Sequence, residues 1–273
     1  MQAPPPIFDR AALMRQRRRA AHAPALFLRQ AVQAELHDRL REVNRTFTAP
    51  AIVTALPQIW ADVLPGAVMV ADADVLGLAR QAHDIVIHDM ALHWADDPVG
   101  QLVQARLALR PDGLLLATLF GGQTLAHLRA ALAQAEADVT GGLSPRVAPM
   151  GEIRDLGALL QRAGFALPVA DASPFTVSYA DPFALMRDLR AMGEGNAMAG
   201  RMRHPTRRAV MARAAALYPT GPDGRITATF EVVTLTGWAP DPGQPQPLRP
   251  GSARARLADA LAVVERPLDR DHD

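Results

Sequence analysis

A chain of 273 residues with a formal net charge of +1 and no cysteine has room for one large domain or two small ones. It has no global field to steer it onto nucleic acid or an acidic membrane, and neither disulfides nor cysteine-held metal. It contains no uncharged apolar run of 18 residues and opens on no apolar stretch, so neither a membrane span nor a secretory signal is expected and the expected compartment is the cytoplasm.

All the basic residues are arginine, which, with the abundant alanine, reads as GC-rich bacterial coding bias rather than chemistry. Phe8 to Arg19 is basic through Arg10, Arg15, Arg17, Arg18 and Arg19. A solvated helix face is expected there, ahead of a docking arm for an acidic partner. Beyond Pro24, Leu28, Val32, Leu36 and Leu40 recur every four residues and Glu35 with Arg39 makes an i,i+4 pair, so a helix is expected from Leu26 to about Val43. Ala49 to Leu56 reads as a first strand and Gly66 to Val70 as a second. Between Val75 and Ala82 there is room for about two helical turns.

From His83 to Gly122 the pattern is the clearest in the chain. Asp84 to Ile87 is short, apolar and β-branched, a buried strand. A polar turn with His88, Asp89, His93 and Trp94 follows. Asp96-Asp97-Pro98 then opens a helix with an acidic cap and Pro at its first position, and Leu102, Val103, Leu107 and Leu109 give it an apolar face. Arg110-Pro111-Asp112-Gly113 reads as a turn and Leu114 to Phe120 as a second buried strand, ending at Gly121-Gly122. Strand, helix and strand at this spacing make a βαβ unit with parallel neighbours. Continuous hydrophobicity means both sheet faces are covered, so the fold class is α/β.

Further on, Thr124 is placed to cap a helix to about Val139, Gly141 to Pro149 is a loop, and Glu152 to Ala163 is a helix stopped by Gly164. Phe165 to Ala170 and Phe175 to Tyr179 read as two strands. Asp181-Pro182 opens a helix to Met192, Thr206 caps another to Leu217, and the alternation from Arg225 to Trp238 marks a closing antiparallel strand. Asp241 to Pro250 is Pro-rich linker, Ser252 is placed to cap a short helix, and Arg266 to Asp273 reads as a frayed tail. The expected division is a helical region at 1–45, the sheet domain at 46–240, and linker and tail at 241–273.

The order of strand, Leu92-His93-Trp94, Asp97-Pro98, helix, Leu109-Arg110-Pro111-Asp112-Gly113 and strand resembles the second half of a Rossmann-like, SAM-dependent methyltransferase domain. Further stretches narrow it: Ile7-Phe8-Asp9-Arg10, Leu119-Phe120-Gly121-Gly122, Gly141 to Pro145, Asp155-Leu156-Gly157, Arg162 to Phe165, Met192 to Asn196 and Gly237-Trp238. As an ordered set they resemble the family of the mitochondrial complex I assembly factor that hydroxylates an arginine. The resemblance implies a trimmed class I methyltransferase sheet with helical insertions before an antiparallel closing strand. It implies S-adenosylmethionine (SAM) as cofactor, a role in respiratory complex I biogenesis, and a protein partner, a peripheral complex I subunit.

The cofactor end departs from the methyltransferase pattern. The first strand of such a domain runs into a glycine-rich turn, which lets the backbone approach the ligand. Here Leu56-Pro57-Gln58-Ile59-Trp60 stands instead, and Trp60 is bulky enough to fill the space. Asp72 matches the acidic residue that holds a ribose, with Asp74 as its substitute, although an Asp capping the next element explains it equally well. The edge strand that frames an adenine has no counterpart. Two function classes therefore stand: an enzyme that methylates or hydroxylates, and a binding protein that has lost the cofactor.

Open α/β sheets bind ligands beyond the carboxyl ends of their strands. His93 and Asp89 are the candidate catalytic pair there, His93 as general base or, with Asp89, orienting a guanidinium. The plainer reading is that His93 and Trp94 fix the turn. Trp94, Gly121, Gly122, Ser144, Arg146, Glu194 and Asn196 are the candidate substrate-facing residues, since loops carry recognition more often than packing. The spacing of His83, His88 and His93 matches no common metal site, and no G-x-S-x-G elbow, P-loop, dinucleotide loop or H-E-x-x-H is present.

Overall fold

The computed structural model describes residues 5–244. The chain divides into a body, Met1–Pro240, and a second unit, Asp241–Asp273, of which only 241–244 are described. The Ser252 helix, the 266–273 tail and most of the linker lie outside the described residues.

The body holds one six-stranded sheet: β1 (Pro50–Val53), β2 (Val68–Val70), β3 (His83–His88), β4 (Leu109–Phe120), β5 (Ala166–Tyr179) and β6 (Ile226–Trp238). Their order is β2-β1-β3-β4-β6-β5. β2, β1, β3 and β4 run parallel, and β6 is antiparallel to both β4 and β5. Around the sheet stand α1 (Arg10–Ala20), α2 (Phe27–Glu42), α3 (Pro98–Ala108), α4 (Ala126–Thr140), α5 (Ile153–Arg162), α6 (Pro182–Ala191) and α7 (Arg208–Leu217). This is the expected Rossmann-like arrangement, trimmed beyond β2, with α6 and α7 inserted before the antiparallel closing strand.

Period-2 alternation divides the strand side chains between two cores. Ile52, Ile85, Ile87, Leu114 and Leu116 join Leu28, Val32 and Leu36 of α2. Ala51, Val53, Val86, Leu115 and Ala117 join Leu102 of α3 and Leu160 of α5 on the other face. Helices on both faces are why these strands read as unbroken apolar runs. The expected caps also form. Asp97 accepts from Gly100 N at 2.8 Å and Asp181 from Ala184 N at 2.7 Å, each followed by Pro at the start of its helix.

Several local expectations are corrected. The two strands at 165–179 are one, β5, because β6 pairs with it without a break from Ala170↔Leu235 to Tyr179↔Ile226. Pro174 is tolerated inside it because β5 is the sheet edge. The Arg110–Gly113 turn is a bulge within β4. The register passes from His83↔Leu109 to Ile85↔Leu114, and Asp112 takes φ 58°. Thr124 does not cap α4. Leu125 precedes that helix at φ 55°, and the Thr124 hydroxyl exchanges hydrogen bonds with the backbone of Glu231. Thr206 does not cap α7 either; its hydroxyl accepts from Arg146 at 2.9 Å. Residues 71–82 hold no helix or strand. Gln101 and Gln104 of α3 bind the carbonyls of Ala73 and Asp74, and Gln104 accepts from Leu76 N.

Candidate functional site at the carboxyl end of the sheet

α1 is tied down over the carboxyl ends of the parallel strands. Asp9 caps it through Ala12 N at 2.9 Å and pairs with Arg201 at 2.8 Å, while Asp96 accepts from Ile7 N and Phe8 N. Positions seven apart on a helix share a face, and Arg10 and Arg17 both turn onto Asp72. Arg17 lies 2.8 Å from each Asp72 carboxylate oxygen, and Arg10 reaches the same carboxylate and the Asp72 carbonyl. Asp72 is 3% exposed. The expectation of a fully solvated basic face is therefore corrected: Arg15, Arg18 and Arg19 are exposed, but Arg10 and Arg17 are half-buried. Asp74 is exposed, and its backbone carbonyl is bound by Gln104.

A second ionic group lies behind the first. Asp89, fully buried after β3, accepts from the Thr54 hydroxyl at 2.7 Å and lies 3.5 Å from Arg29. Arg29, on α2, also donates to the Met90 carbonyl at 3.1 Å and to Glu194 at 3.1 Å. Glu194 accepts from the Trp94 indole at 2.7 Å and lies 3.3 Å from His93 Nε2. Burial by itself would raise the Glu194 carboxyl. The hydrogen bond from His93 and the charges of His93, Arg29 and Arg17 outweigh it and hold the group at about 2. His93 lies tilted against Phe120 with ring centroids 4.6 Å apart, and Trp94 meets Phe8 edge-on at 5.1 Å.

The three histidines are separately engaged. His83 Nδ1 lies 3.2 Å from the Ala49 carbonyl and His88 Nε2 2.8 Å from Gln101. Burial pushes His88 below its ordinary value, against the hydrogen bond with Gln101. Among the described residues, no three histidine or acidic side chains are grouped to hold a metal.

The loop candidates divide between two roles. Arg146 and Ser144 both bind Glu136 of α4, Arg146 at 2.7 Å and the Ser144 hydroxyl at 2.8 Å. Asn196 donates to the Pro145 carbonyl at 2.8 Å. At Gly121 an added Cβ would meet the Glu231 carboxylate and the Val233 methyl, so close packing favours glycine there, whereas at Gly122 it would meet only the movable carboxylate of exposed Glu152.

Two of the spaces at this end adjoin the residues described above. One, beside Ala55, Leu56, Arg17 and Arg29, measures about 20 Å³. The other, about 650 Å³, lies between α1, α4, α6 and the 146–150 loop, with Trp94, Arg146, Glu194 and Asn196 among its walls. Trp60 lines neither; it is fully buried in the α2 core with Leu28 and Val32.

No family model matches the chain. It is 37% identical over 186 residues to the mitochondrial arginine-hydroxylase NDUFAF5 of Dictyostelium discoideum, a match that takes in 67% of this chain and 43% of that protein. The human protein of that name is 31% identical over 93% of this chain and 83% of its own length. The chain belongs to the NDUFAF5 arginine-hydroxylase family. A malonyl-[acyl-carrier protein] O-methyltransferase of Xylella fastidiosa is 38% identical over 64% of this chain and 58% of its own length. Among solved structures, the Bacillus subtilis protein YcgJ is similar at 8% identity and a TM-score of 0.49, over 74% of this chain and 97% of that one.

SAM, the cofactor that the family resemblance implies, has two marks in its favour here. Asp72 lies just beyond the carboxyl end of β2, and Asp89 Oδ1 and Arg17 Nη2 are buried without a partner among the described residues. The rest does not fit. A space of about 20 Å³ holds about one water, and the Asp72 oxygens that a ribose would use are taken by Arg17 and Arg10. The Pro57–Ile59 turn that replaces the glycine loop is clamped by Gln33 of α2 onto the Ile59 carbonyl.

Sequence reading missed Arg29, Thr54 and the inward turn of Arg10 and Arg17. The 10/17 spacing was an available signal. Arg29 carried none, because its partners lie 60 residues or more away in the chain.

The Glu194 pairing sets an acid limit. Its carboxyl is held at about 2, below the ordinary 4.5, so its share of stability is complete above about pH 4.5 and is lost as the pH falls toward 2. That share is roughly 3 kcal/mol. Urea unfolding across that pH range is expected to show a steeper loss for the wild type than for Glu194→Gln. Equal slopes would mean that Glu194 titrates normally.

Proposed function

We propose that this chain is a cofactor-free binding member of its family, working in respiratory complex I biogenesis by holding a peripheral subunit rather than by modifying it. The observation that carries the reading is the Asp72 carboxylate, buried on Arg17 and Arg10 beside about 20 Å³ of space. Removing an arginine from a buried pair strands a charge at a cost of about 3–5 kcal/mol, so a nucleoside that displaces Arg17 has to replace that whole interaction. The family membership supports the assembly context, and His93, Trp94 and Glu194 hold the turn in shape through their mutual hydrogen bonds.

Isothermal titration with SAM is expected to give no heat up to about 1 mM, a limit of about −4 kcal/mol. The protein is expected to retain a peripheral complex I subunit when the two are mixed and captured. Micromolar SAM binding would return the enzyme reading to first place. Failure to retain any such subunit would remove the assembly role. Binding gained in Arg17→Ala would place the obstacle at the Asp72 pair.

A further inference from the structure

The cavity of about 650 Å³ has a use that the assembly reading does not supply. Much of its wall is hydrocarbon: Leu128 and Leu132 of α4, Met186 and Leu189 of α6, and Phe120 and Phe230 from the sheet. Met150 and Met211 add unbranched, polarizable side chains that adapt to an irregular chain. Concave apolar spaces of this size with a few polar groups at one end are the usual form of small-molecule sites.

The polar groups at the cavity differ in what they have left to offer. Arg146 is committed to Glu136 and Thr206. Glu194, the single carboxylate on the lining among the described residues, is answered by Arg29 and by the Trp94 indole. Arg19 and Arg190 also line the cavity, and their guanidiniums have no hydrogen bond or ion pair among the described residues. Both stand in or at the last turn of their helices, α1 and α6. There they complement the helix dipole, but this leaves their N–H donors unused. An apolar interior with two exposed cations beside it, neither held by a protein partner among the described residues, is complementary to an amphiphile with an anionic head.

We infer that this cavity binds an alkyl-chain carboxylate of the fatty-acid class, with the chain among Leu128, Leu132, Met186 and Leu189 and the carboxylate on Arg19 and Arg190. A guanidinium takes a carboxylate through two parallel N–H bonds. The chain contributes by burial, so affinity should climb with each methylene until the cavity is filled.

The test is titration of the full chain with octanoate, decanoate and dodecanoate below their micelle concentrations, beside decanol and dodecyltrimethylammonium. Carboxylate affinity is expected to rise roughly fourfold per added methylene and to exceed that of the cationic amphiphile of equal length. The exposed Arg19→Glu and Arg190→Glu variants are expected to lose tenfold or more for the carboxylates and to keep decanol binding unchanged. Leu128→Trp, which fills the cavity, is expected to abolish all binding, with thermal unfolding of each variant confirming that it is folded. Equal binding of carboxylate and ammonium amphiphiles, charge-reversed variants that bind carboxylates as the wild type does, or no binding of any chain length would each overturn the inference. Its outcome is separate from that of the assembly reading, because neither SAM nor a complex I subunit is present.

Discussion

Arg29→Met is expected to lower the stability of the protein by about 3–5 kcal/mol. Arg29 is 6% exposed and stands between two buried carboxylates, 3.5 Å from Asp89 and 3.1 Å from Glu194. Methionine keeps most of the volume but leaves Asp89 without its guanidinium and Glu194 with only His93 and the Trp94 indole in contact. It also removes the donor to the Met90 carbonyl, at a position where the chain turns at φ 42°. Adding Glu194→Gln removes one of the stranded charges, so the double variant is expected to recover roughly 0.5–3 kcal/mol, the range found for directly coupled residues. Urea unfolding midpoints of the wild type, the two single variants and the double variant check this. A single-variant loss below about 1 kcal/mol would place Arg29 with ordinary surface ion pairs.

Trp60→Gly is expected to cost about 3–5 kcal/mol and to open no cofactor site. The indole is fully buried among Leu28, Val32, Leu36 and Ile52, so its loss leaves a void under α2 rather than at the carboxyl ends of the strands. Its Nε1 has no partner among the described residues, a burial that costs about 1–3 kcal/mol. Trp60→Phe removes that unpaired group with part of the ring volume, and the two effects offset, so this variant is expected to stay within about 1 kcal/mol of the wild type. Urea midpoints at unchanged slope would measure both changes as stability. SAM titration of Trp60→Gly reports the rest: micromolar binding would mean that the indole, not the arginines of α1 and α2, closes the cofactor end.

Both variants bear on the same physical contrast. In a methyltransferase sheet the strand ends are kept open by glycine and by an acidic residue left free for a ribose. Here two acids at the strand ends, Asp72 and Asp89, each meet an arginine from the N-terminal helices. Both oxygens of the Asp72 carboxylate are already held by a guanidinium, while Asp89 keeps one buried oxygen without a partner among the described residues.

The sequence by itself determined the sheet and its class. Unbroken apolar runs at Ile85–Ile87 and Leu114–Phe120 require cover on both faces. The Asp-Pro pairs at 97–98 and 181–182 start helices through contacts within one turn. The alternation from Ile226 to Trp238 specifies a strand with two unlike faces. These signals are local: they depend on the period of the side chains or on a cap and its own helix. Only the tertiary structure decided the rest. Pro174 interrupts the β5 pattern, yet the strand continues because β6 supplies a partner along its length. Thr124 and Thr206 read as caps, but distant groups, the Glu231 backbone and the Arg146 guanidinium, bind their hydroxyls. Asp72 reads as a ribose ligand or a cap, and only the fold carries Arg17, 55 residues earlier, onto its carboxylate. An ion pair has no periodicity and no fixed spacing. Which carboxylate an arginine meets depends on where the fold carries both, and that decides whether this end of the sheet is open or filled.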